Sequence, residues 1–563
     1  MSPSATTTAA PATNGNGAIK AQNDVNGSVN GSANGTHANG NGVAKNGKNG
    51  KEAHLSSTEL IRLENEHGAH NYHPLPVVFD RALGAKVWDP EGREYIDMLS
   101  AYSAVNQGHC HPRIVAALVA QAQKLTLSSR AFHNSVFGRF AERVGGLFGW
   151  EMVLPMNTGA EAVESALKLA RKWAYLRKGV PEGKAIVLSV ADNFHGRTLG
   201  VISMSTDPSA RVGFGPYLPG VGPTFVDPEA EGGSRLIRFG EISDLERALE
   251  LHGPRVAAFL VEPVQGEAGE SECVGLPRDG LEKNERQQAG ANNRPAPTYL
   301  PAVAALCKKH NVLLICDEIQ TGLGRTGKML AIDHAGIRPD IVLLGKALSG
   351  GVYPVSAVLA DKDVMLCIQP GEHGKLRAAT RVLAPPLGVG VRPDHVFVLS
   401  PRRLDLNRPL THPPAHRNPL ACAVAITALD VLVEEDLSAR AARLGEVFRS
   451  SVLALKSPYI KTVRGLGLLN AVVIDEDACN AARAARGQDV AGNKRRTAWQ
   501  FCLLLKARGV LAKTTHGNVV RFAPPLVIEE ADLVEAVKII GECLVDLERL
   551  GEIPGDDSEE GGH

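Results

Sequence analysis

Apolar residues fall into two alternating patterns along this chain. Short unbroken runs at 185–190, Val256–Val261, 312–316 and Ile341–Leu344 read as strands. Between them lie stretches with apolar residues every three to four positions, as in helices that bury one face. The clearest covers 159–177, with Ala162, Ala166, Leu169 and Trp173 on one side. Further helices are predicted over 421–434, 499–507 and 530–547, with a short strand at Val519–Phe522. Alternating helical and extended segments from about Thr58 onward predict an α/β fold around a largely parallel sheet. There is no internal repeat. Two stretches, 271–297 and 375–417, have no period of either kind. Structureless loops of that length are uncommon inside compact domains. A shorter irregularity at 481–496 reads as a surface insertion.

Composition narrows the picture. The 563 residues suffice for two or three domains, and 61 basic against 61 acidic residues give no global field for nucleic acid or an anionic membrane. No apolar run reaches the roughly 18 residues that span a bilayer. Nine cysteines without a CxxC pair, several in apolar runs, predict reduced and mostly buried thiols rather than disulfides or a zinc site. Residues 1–55, rich in Asn, Gly, Ala, Ser and Thr, cannot bury enough apolar surface to fold and are expected to be disordered. Their first arginine is Arg62, beyond the segment itself, so they make a poor mitochondrial leader, and the expected compartment is the cytoplasm. Residues 551–563 form an acidic tail.

Candidate chemistry sits at the strand ends. The run 312–316 leads into Asp317-Glu318, and Ile341–Leu344 leads through Gly345 into Lys346, 346 − 317 = 29 residues later, about one strand–helix–strand unit. A lysine that can form a Schiff base with an aldehyde, and an acid that can keep a pyridine nitrogen protonated, are the two groups that pyridoxal 5'-phosphate (PLP) chemistry needs. Taken alone, a lysine after a strand is ordinarily a surface residue, and a strand-end Asp-Glu can equally hold a metal. Thr158 and Glu161 have capping-box spacing, so the amides of Gly159 and Ala160 open a helix where an anion can bind; an ordinary capped helix reads the same way. In Asn193-Phe194-His195-Gly196-Arg197-Thr198, a loop aromatic can lie on a cofactor ring and an arginine can clamp a carboxylate, against the plainer options of a core Phe and a surface Arg. His195 has no partner histidine at metal-ligand spacing, and no metal site is expected. Gly322-Leu323-Gly324-Arg325-Thr326-Gly327-Lys328-Met329 matches both GxGxxG and GxxxxGK, but Met329 cannot ligate magnesium, and five residues separate the motif from its strand. Nucleotide binding there is rejected.

Together these residues carry a resemblance. Asn71-Tyr72-His73-Pro74-Leu75-Pro76, Tyr102 to His109, Asn157 to Glu164, Val261 to Gly269, Asp317 to Gly327, Leu344-Gly345-Lys346, His516-Gly517 and Val520 to Pro525 resemble the fold-type I, class III PLP-dependent aminotransferases, nearest to the branch acting on ornithine. The likeness covers about 58–548 outside the two irregular stretches. It implies a large domain with a mostly parallel seven-stranded sheet and a smaller α+β domain from both chain ends. The expected limits are 56–110 and 431–550 for the small domain and 111–430 for the large one. It also implies a homodimer or higher homo-oligomer with a place in arginine catabolism and proline biosynthesis. The implied reaction moves the terminal amine of L-ornithine to 2-oxoglutarate, giving glutamate 5-semialdehyde and glutamate.

By the same resemblance Lys346 is the Schiff-base lysine and proton shuttle, Asp317 pairs with the ring nitrogen, and Gln320 meets the ring hydroxyl. Phe194 stacks on the ring, and Gly159 and Ala160 cradle the phosphate. Tyr72 and Arg197 hold the α-amino acid end of ornithine, Tyr102 lines the pocket, and Arg521 binds the α-carboxylate of 2-oxoglutarate. Glu267 neutralises Arg521 in the first half-reaction and frees it for the second, because an unpaired charge in a poorly hydrated site is costly.

One departure stands out. The family follows the equivalent of Gly371-Glu372-His373-Gly374 with a short Ser-Thr-Tyr-Gly-Gly segment whose threonine reaches the neighbouring subunit's cofactor phosphate. Here 375–417 stands in its place. Loss of a hydrogen bond to a charged group costs roughly 1.5–3 kcal/mol, or about 10- to 150-fold in cofactor affinity. The stretch, and with it 271–297, is expected to be translated non-coding sequence in a faulty gene model, and a real insertion is the plainer alternative. The alternatives for function are an ω-aminotransferase using acetylornithine or 4-aminobutyrate, and a PLP-deficient inactive chain.

Overall fold

The computed structural model describes residues 55–129, 131–266, 298–372, 418–515 and 517–555. The tail 1–54, the stretches 271–297 and 375–417, Glu267, His516 and the end of the acidic tail lie outside the described residues.

The strands, in chain order, are β1 (Arg81–Leu83), β2 (Lys86–Trp88), β3 (Glu94–Asp97), β4 (Met152–Met156), β5 (Ile186–Leu188), β6 (Val221–Gly222), β7 (Thr224–Val226), β8 (Ser234–Leu236) and β9 (Val256–Val261). They continue with β10 (Leu313–Asp317), β11 (Ile341–Leu344), β12 (Ser356–Ala360), β13 (Ile460–Leu466), β14 (Leu469–Ile474), β15 (Val510–Leu511), β16 (Lys513–Thr515) and β17 (Val519–Phe522).

A seven-stranded sheet in the order β4-β12-β11-β10-β9-β5-β6 forms the centre. Strands β11, β10, β9, β5 and β6 pair parallel in succession, and β12 runs antiparallel to both its neighbours. This is the expected α/β architecture of fold type I. Every residue of β9, β10, β11 and β12 is buried, because helices and loops cover both sheet faces. That double burial is why these strands read as unbroken apolar runs. The helix Gly159–Trp173 packs on the sheet through the predicted Ala162, Ala166, Leu169 and Trp173. It then widens into a π-helical turn, Ala174–Lys178, a change of pitch the apolar spacing does not reveal.

Among the described residues, three further sheets accompany the central one: two of four strands and the antiparallel pair β7-β8. β13-β14-β17-β16 is antiparallel throughout and packs against the helix Leu437–Ala454. β1-β2-β3-β15 joins the two ends of the chain, since β15 pairs parallel with β3 at Val510↔Ile96. The helix Pro419–Glu434 runs unbroken through the domain limit expected at 430/431.

The stretch 481–496 departs from the expected surface insertion. Its middle is mostly exposed, but Arg483 and Arg496 are buried. Arg483 Nη1 donates to Leu550 O (2.9 Å) and Arg496 Nη2 to Gly551 O (2.7 Å), so both guanidinium groups satisfy carbonyls where the last helix, Glu530–Arg549, ends. Seven of the eight described cysteines are buried, and none is in a disulfide.

Candidate active site

In open α/β sheets, ligands bind outside the carboxyl ends of the strands. Here adjacent parallel strands deliver their last or following residues to one cavity of about 500 Å³. β5 leads to Phe194 and His195, β9 to Glu262, β10 to Asp317 and Gln320, and β11 to Lys346. Gly159 and Ala160 close one side.

The floor is charged and buried. Asp317 Oδ2 lies 2.7 Å from His195 Nδ1, and Asp317 Oδ1 accepts from the Ile319 amide at 3.0 Å. Burial opposes protonation of His195, but the hydrogen bond to Asp317 and the charges of Asp317 and Glu262 outweigh it and raise the imidazole pKa. Glu262 accepts from the Phe194 amide (3.1 Å) and the Gly266 amide (3.3 Å). Burial pushes its carboxyl up to about 7, with Asp317 adding to the shift and His195 opposing it. Glu318, next to Asp317 in sequence, points away. It accepts from Thr321 Oγ1 and from the Ile332 amide (2.8 Å), and so holds the loop behind the sheet. Successive side chains at a strand end face opposite ways, so Asp317 and Glu318 do not form a paired metal site.

Lys346 opens the segment after β11 with φ +45°, in the left-handed region that non-glycine residues seldom adopt. Its Nζ donates to Gln320 Oε1 at 3.1 Å. The helix start has the expected box: Glu161 N donates to Thr158 Oγ1 (3.2 Å), and Thr158 N donates to Glu161 Oε2 (3.1 Å). Gly159 and Ala160 precede the amide of Ala162, which makes the first intrahelical bond to Thr158 O (3.1 Å). A Cβ on Gly159 would lie 3.0 Å from Ile319, so the chain passes closely there.

A second cluster stands beside this floor. Tyr72 Oη donates to Tyr102 Oη at 3.0 Å, and the guanidinium carbon of Arg521 is 5.2 Å from the Tyr102 ring centre. Arg521 is buried and donates through Nη2 to Gly266 O, the residue before Glu267. Lys513 Nζ lies 4.5 Å from the Tyr72 ring centre. Arg197 is more exposed, 5.4 Å from the Phe194 ring centre and 3.8 Å from Asp207. The structure thus places Gly159, Ala160, Phe194, Asp317, Gln320 and Lys346 around one cavity. Tyr72, Tyr102 and Arg521 form a neighbouring group, Arg197 lies at the surface beside Phe194, and Glu267 lies outside the described residues. Sequence reasoning assigned no role to Glu262, Ser349 or Tyr353, which also line the cavity. Glu262, directly after a fully buried strand, carried the signal that could have singled it out.

These residues suit PLP. The Nε2 of Gln320 is buried and donates to nothing among the described residues, an open donor beside the lysine amine. Both oxygens of Asp317 are held, and a helix start offers amides to a phosphate. Fold and site together define a PLP-dependent transferase of fold type I. The chain belongs to the class-III aminotransferases, whose family model matches residues 67–273, 286–378 and 413–544. The two gaps in that match, 274–285 and 379–412, fall within the stretches that lack periodicity.

Known relatives agree. The ornithine aminotransferase of Schizosaccharomyces pombe is 52% identical over 88% of this chain and 96% of its own length. The crystal structure of the Toxoplasma gondii ornithine aminotransferase matches with a TM-score of 0.70 and 39% identity, covering 88% of this chain and 96% of that one. Another structure of that enzyme contains PLP at partial occupancy at its active site. The acetylornithine aminotransferase of Elizabethkingia anophelis matches with a TM-score of 0.66 and 44% identity over 87% of this chain and 99% of that one.

Proposed function

We propose that this chain is an ornithine δ-aminotransferase, passing the terminal amine of L-ornithine to 2-oxoglutarate by a two-step exchange. The observation that carries the reading is Arg521, buried beside the Tyr72–Tyr102 pair and bonded to Gly266 at the edge of the cavity. Curated relatives named for ornithine, at about half identity over most of the chain, support it.

Asp317, Gln320, Phe194, Gly159, Ala160 and Lys346 are the residues that hold the cofactor. When bound, PLP supplies a ring that draws electrons from the carbon bearing the amine. Lys346 would be its covalent attachment point, and Lys346 Nζ, freed when the substrate amine takes its place, would take and return the proton at that carbon. Asp317, fixed by His195 and the Ile319 amide, would pair with the ring nitrogen. Tyr72 and Arg197 hold the amino-acid end of ornithine away from Lys346, and Tyr102 lines the path. Arg521 takes the α-carboxylate of 2-oxoglutarate, and Glu267 covers Arg521 while ornithine is bound. In this reading 111–430, extended to the end of the helix at Glu434, carries the cofactor, and 56–110 with the remainder to 550 closes the substrate end. The reading includes a homodimer and residence in the cytoplasm.

The Elizabethkingia relative favours a second reading, transfer from acetylornithine. Product analysis decides between them. With ornithine, acetylornithine and 4-aminobutyrate offered together with 2-oxoglutarate, glutamate 5-semialdehyde should form first, and an excess of the acetylated product would reject the proposal. The Glu267→Ala variant should form the α-keto acid of ornithine alongside the semialdehyde.

A further inference from the structure

The glycine-rich segment rejected as a nucleotide site lies where the central sheet, the C-terminal sheet and the N-terminal segment meet. A Cβ on Gly324 (φ +87°) would fall 3.0 Å from Leu526, and one on Gly327 (φ +89°) 2.9 Å from Ala442, so the backbone fits only without side chains. Between them Arg325 is fully buried, 0% exposed. Its guanidinium forks in two directions. Nη1 donates to Leu468 O (3.0 Å) and Pro524 O (2.6 Å), and Nη2 donates to Ser100 Oγ (3.1 Å) and Asn106 Oδ1 (2.6 Å). Burial pulls its pKa down to about 9, offset in part by the charge of Asp97, which leaves it protonated at neutral pH. A charge buried without a bonded carboxylate is expensive and needs a reason.

The reason lies in what Nη2 holds. Ser100, Ala101, Tyr102 and Ser103 have φ of 56°, 44°, 56° and 72°, four consecutive non-glycine residues in the left-handed region. L-residues avoid such a turn unless the surroundings impose it. Asp97 Oδ1 accepts from the amides of Leu99 and Ser100, both at 2.8 Å. Outside the turn, Ala523 N donates to Met98 O (2.6 Å) and Leu526 N donates to Asn106 O (2.8 Å). Arg325 grips Ser100, the first residue of the turn, and Asn106, three residues beyond its last. Its other nitrogen grips Pro524, three residues after Arg521. Tyr102, within the turn, faces both Tyr72 and Arg521.

We infer that Arg325 is a positioning residue for the substrate end of the pocket: it locks the left-handed turn carrying Tyr102 to the strand end carrying Arg521, and so sets the gap that receives a substrate carboxylate. The inference deepens the function proposed above and rests on it. Arg325 itself touches neither cofactor nor substrate and acts through Tyr102.

The test uses full-length holoenzyme. Arg325→Lys keeps the charge but replaces the fork with one nitrogen, and Ser100→Ala removes a single bond. By hydrogen–deuterium exchange, peptides over 98–106 should exchange about tenfold faster in Arg325→Lys, while those over β10 and β11 match the parent. The KM for the amine donor should rise about tenfold with kcat within about threefold, and in a Tyr102→Ala background the same change should add less than about twofold. Ser100→Ala should shift exchange and KM in the same direction by a smaller factor. Unchanged exchange over 98–106, acceleration spread evenly into β10 and β11, or KM effects that multiply independently of Tyr102→Ala would overturn the inference. If Arg325→Lys does not fold, exchange in Ser100→Ala decides alone. The exchange result stands whichever amine the enzyme accepts, so failure of the ornithine reading and failure of the brace are separate outcomes.

Discussion

The two ends of the proposed site are built by different means. At the cofactor end, Asp317 closes one of two neighbouring parallel strands and Gln320 and Lys346 follow shortly after them, so each side chain is placed by a few residues of local backbone beside fully buried strands. At the proposed substrate end, Tyr72 and Tyr102 come from near the start of the described chain and Arg521 from near its end. They meet through the β3–β15 pairing, a left-handed turn and one buried guanidinium. The first end is set by the sheet. The second depends on long-range contacts that can loosen while the sheet stays intact. Common chemistry on a shared scaffold, with selectivity on more adjustable parts, follows from that division.

Substitutions at each end should separate these two kinds of construction. The largest effect is expected at the cofactor end. Lys346→Ala should lower amine transfer by at least about 10³-fold, since it removes the proposed proton-carrying group, with the fold and melting curve retained. Activity within tenfold of the parent would reject the role. At the substrate end, Arg521→Gln should raise the KM for 2-oxoglutarate by about 10- to 150-fold, the worth of a charged hydrogen bond, and leave the absorbance of bound PLP in place. Lost PLP with an unchanged KM would erase the distinction between the ends.

The smallest effect concerns the scaffold behind both. Burial pushes Glu318 up to about 7 from an ordinary 4.5. Between those values the folded chain holds a proton that the unfolded chain has released. The stabilisation from Glu318 is therefore complete below the lower value and is lost as pH rises towards the upper one. Relative to Glu318→Gln, the parent should lose about 1–2 kcal/mol of stability from about pH 5 to 6.5 in urea titrations. A difference that does not vary with pH would show that the carboxyl titrates alike in both states.

The contrast also explains what the sequence disclosed. Strands buried on both faces announce themselves as apolar runs, and the residues just after them, Asp317 and Lys346, are conspicuous for breaking the run. The capping box at Thr158 and Glu161 is equally local. Arg325 was hidden by its surroundings, because the glycines that let it pass between packed layers have the spacing of a phosphate loop. Arg483 and Arg496 misled for a related reason. Arginines in an irregular stretch suggest solvent, and only the three-dimensional fold brings them to the carbonyls that end the last helix. The left-handed turn at Ser100–Ser103 leaves no local mark, since none of its residues is Gly, Asn or Asp, and Arg325, which bonds Ser100, lies 225 residues away in the chain.

The most direct test of the account is chemical. Purified protein loaded with PLP is reduced with borohydride, digested and mapped by mass spectrometry. The label should be found on the peptide containing Lys346, at its ε-nitrogen. A stoichiometric label on any other lysine, with Lys346 unmodified, would contradict the account.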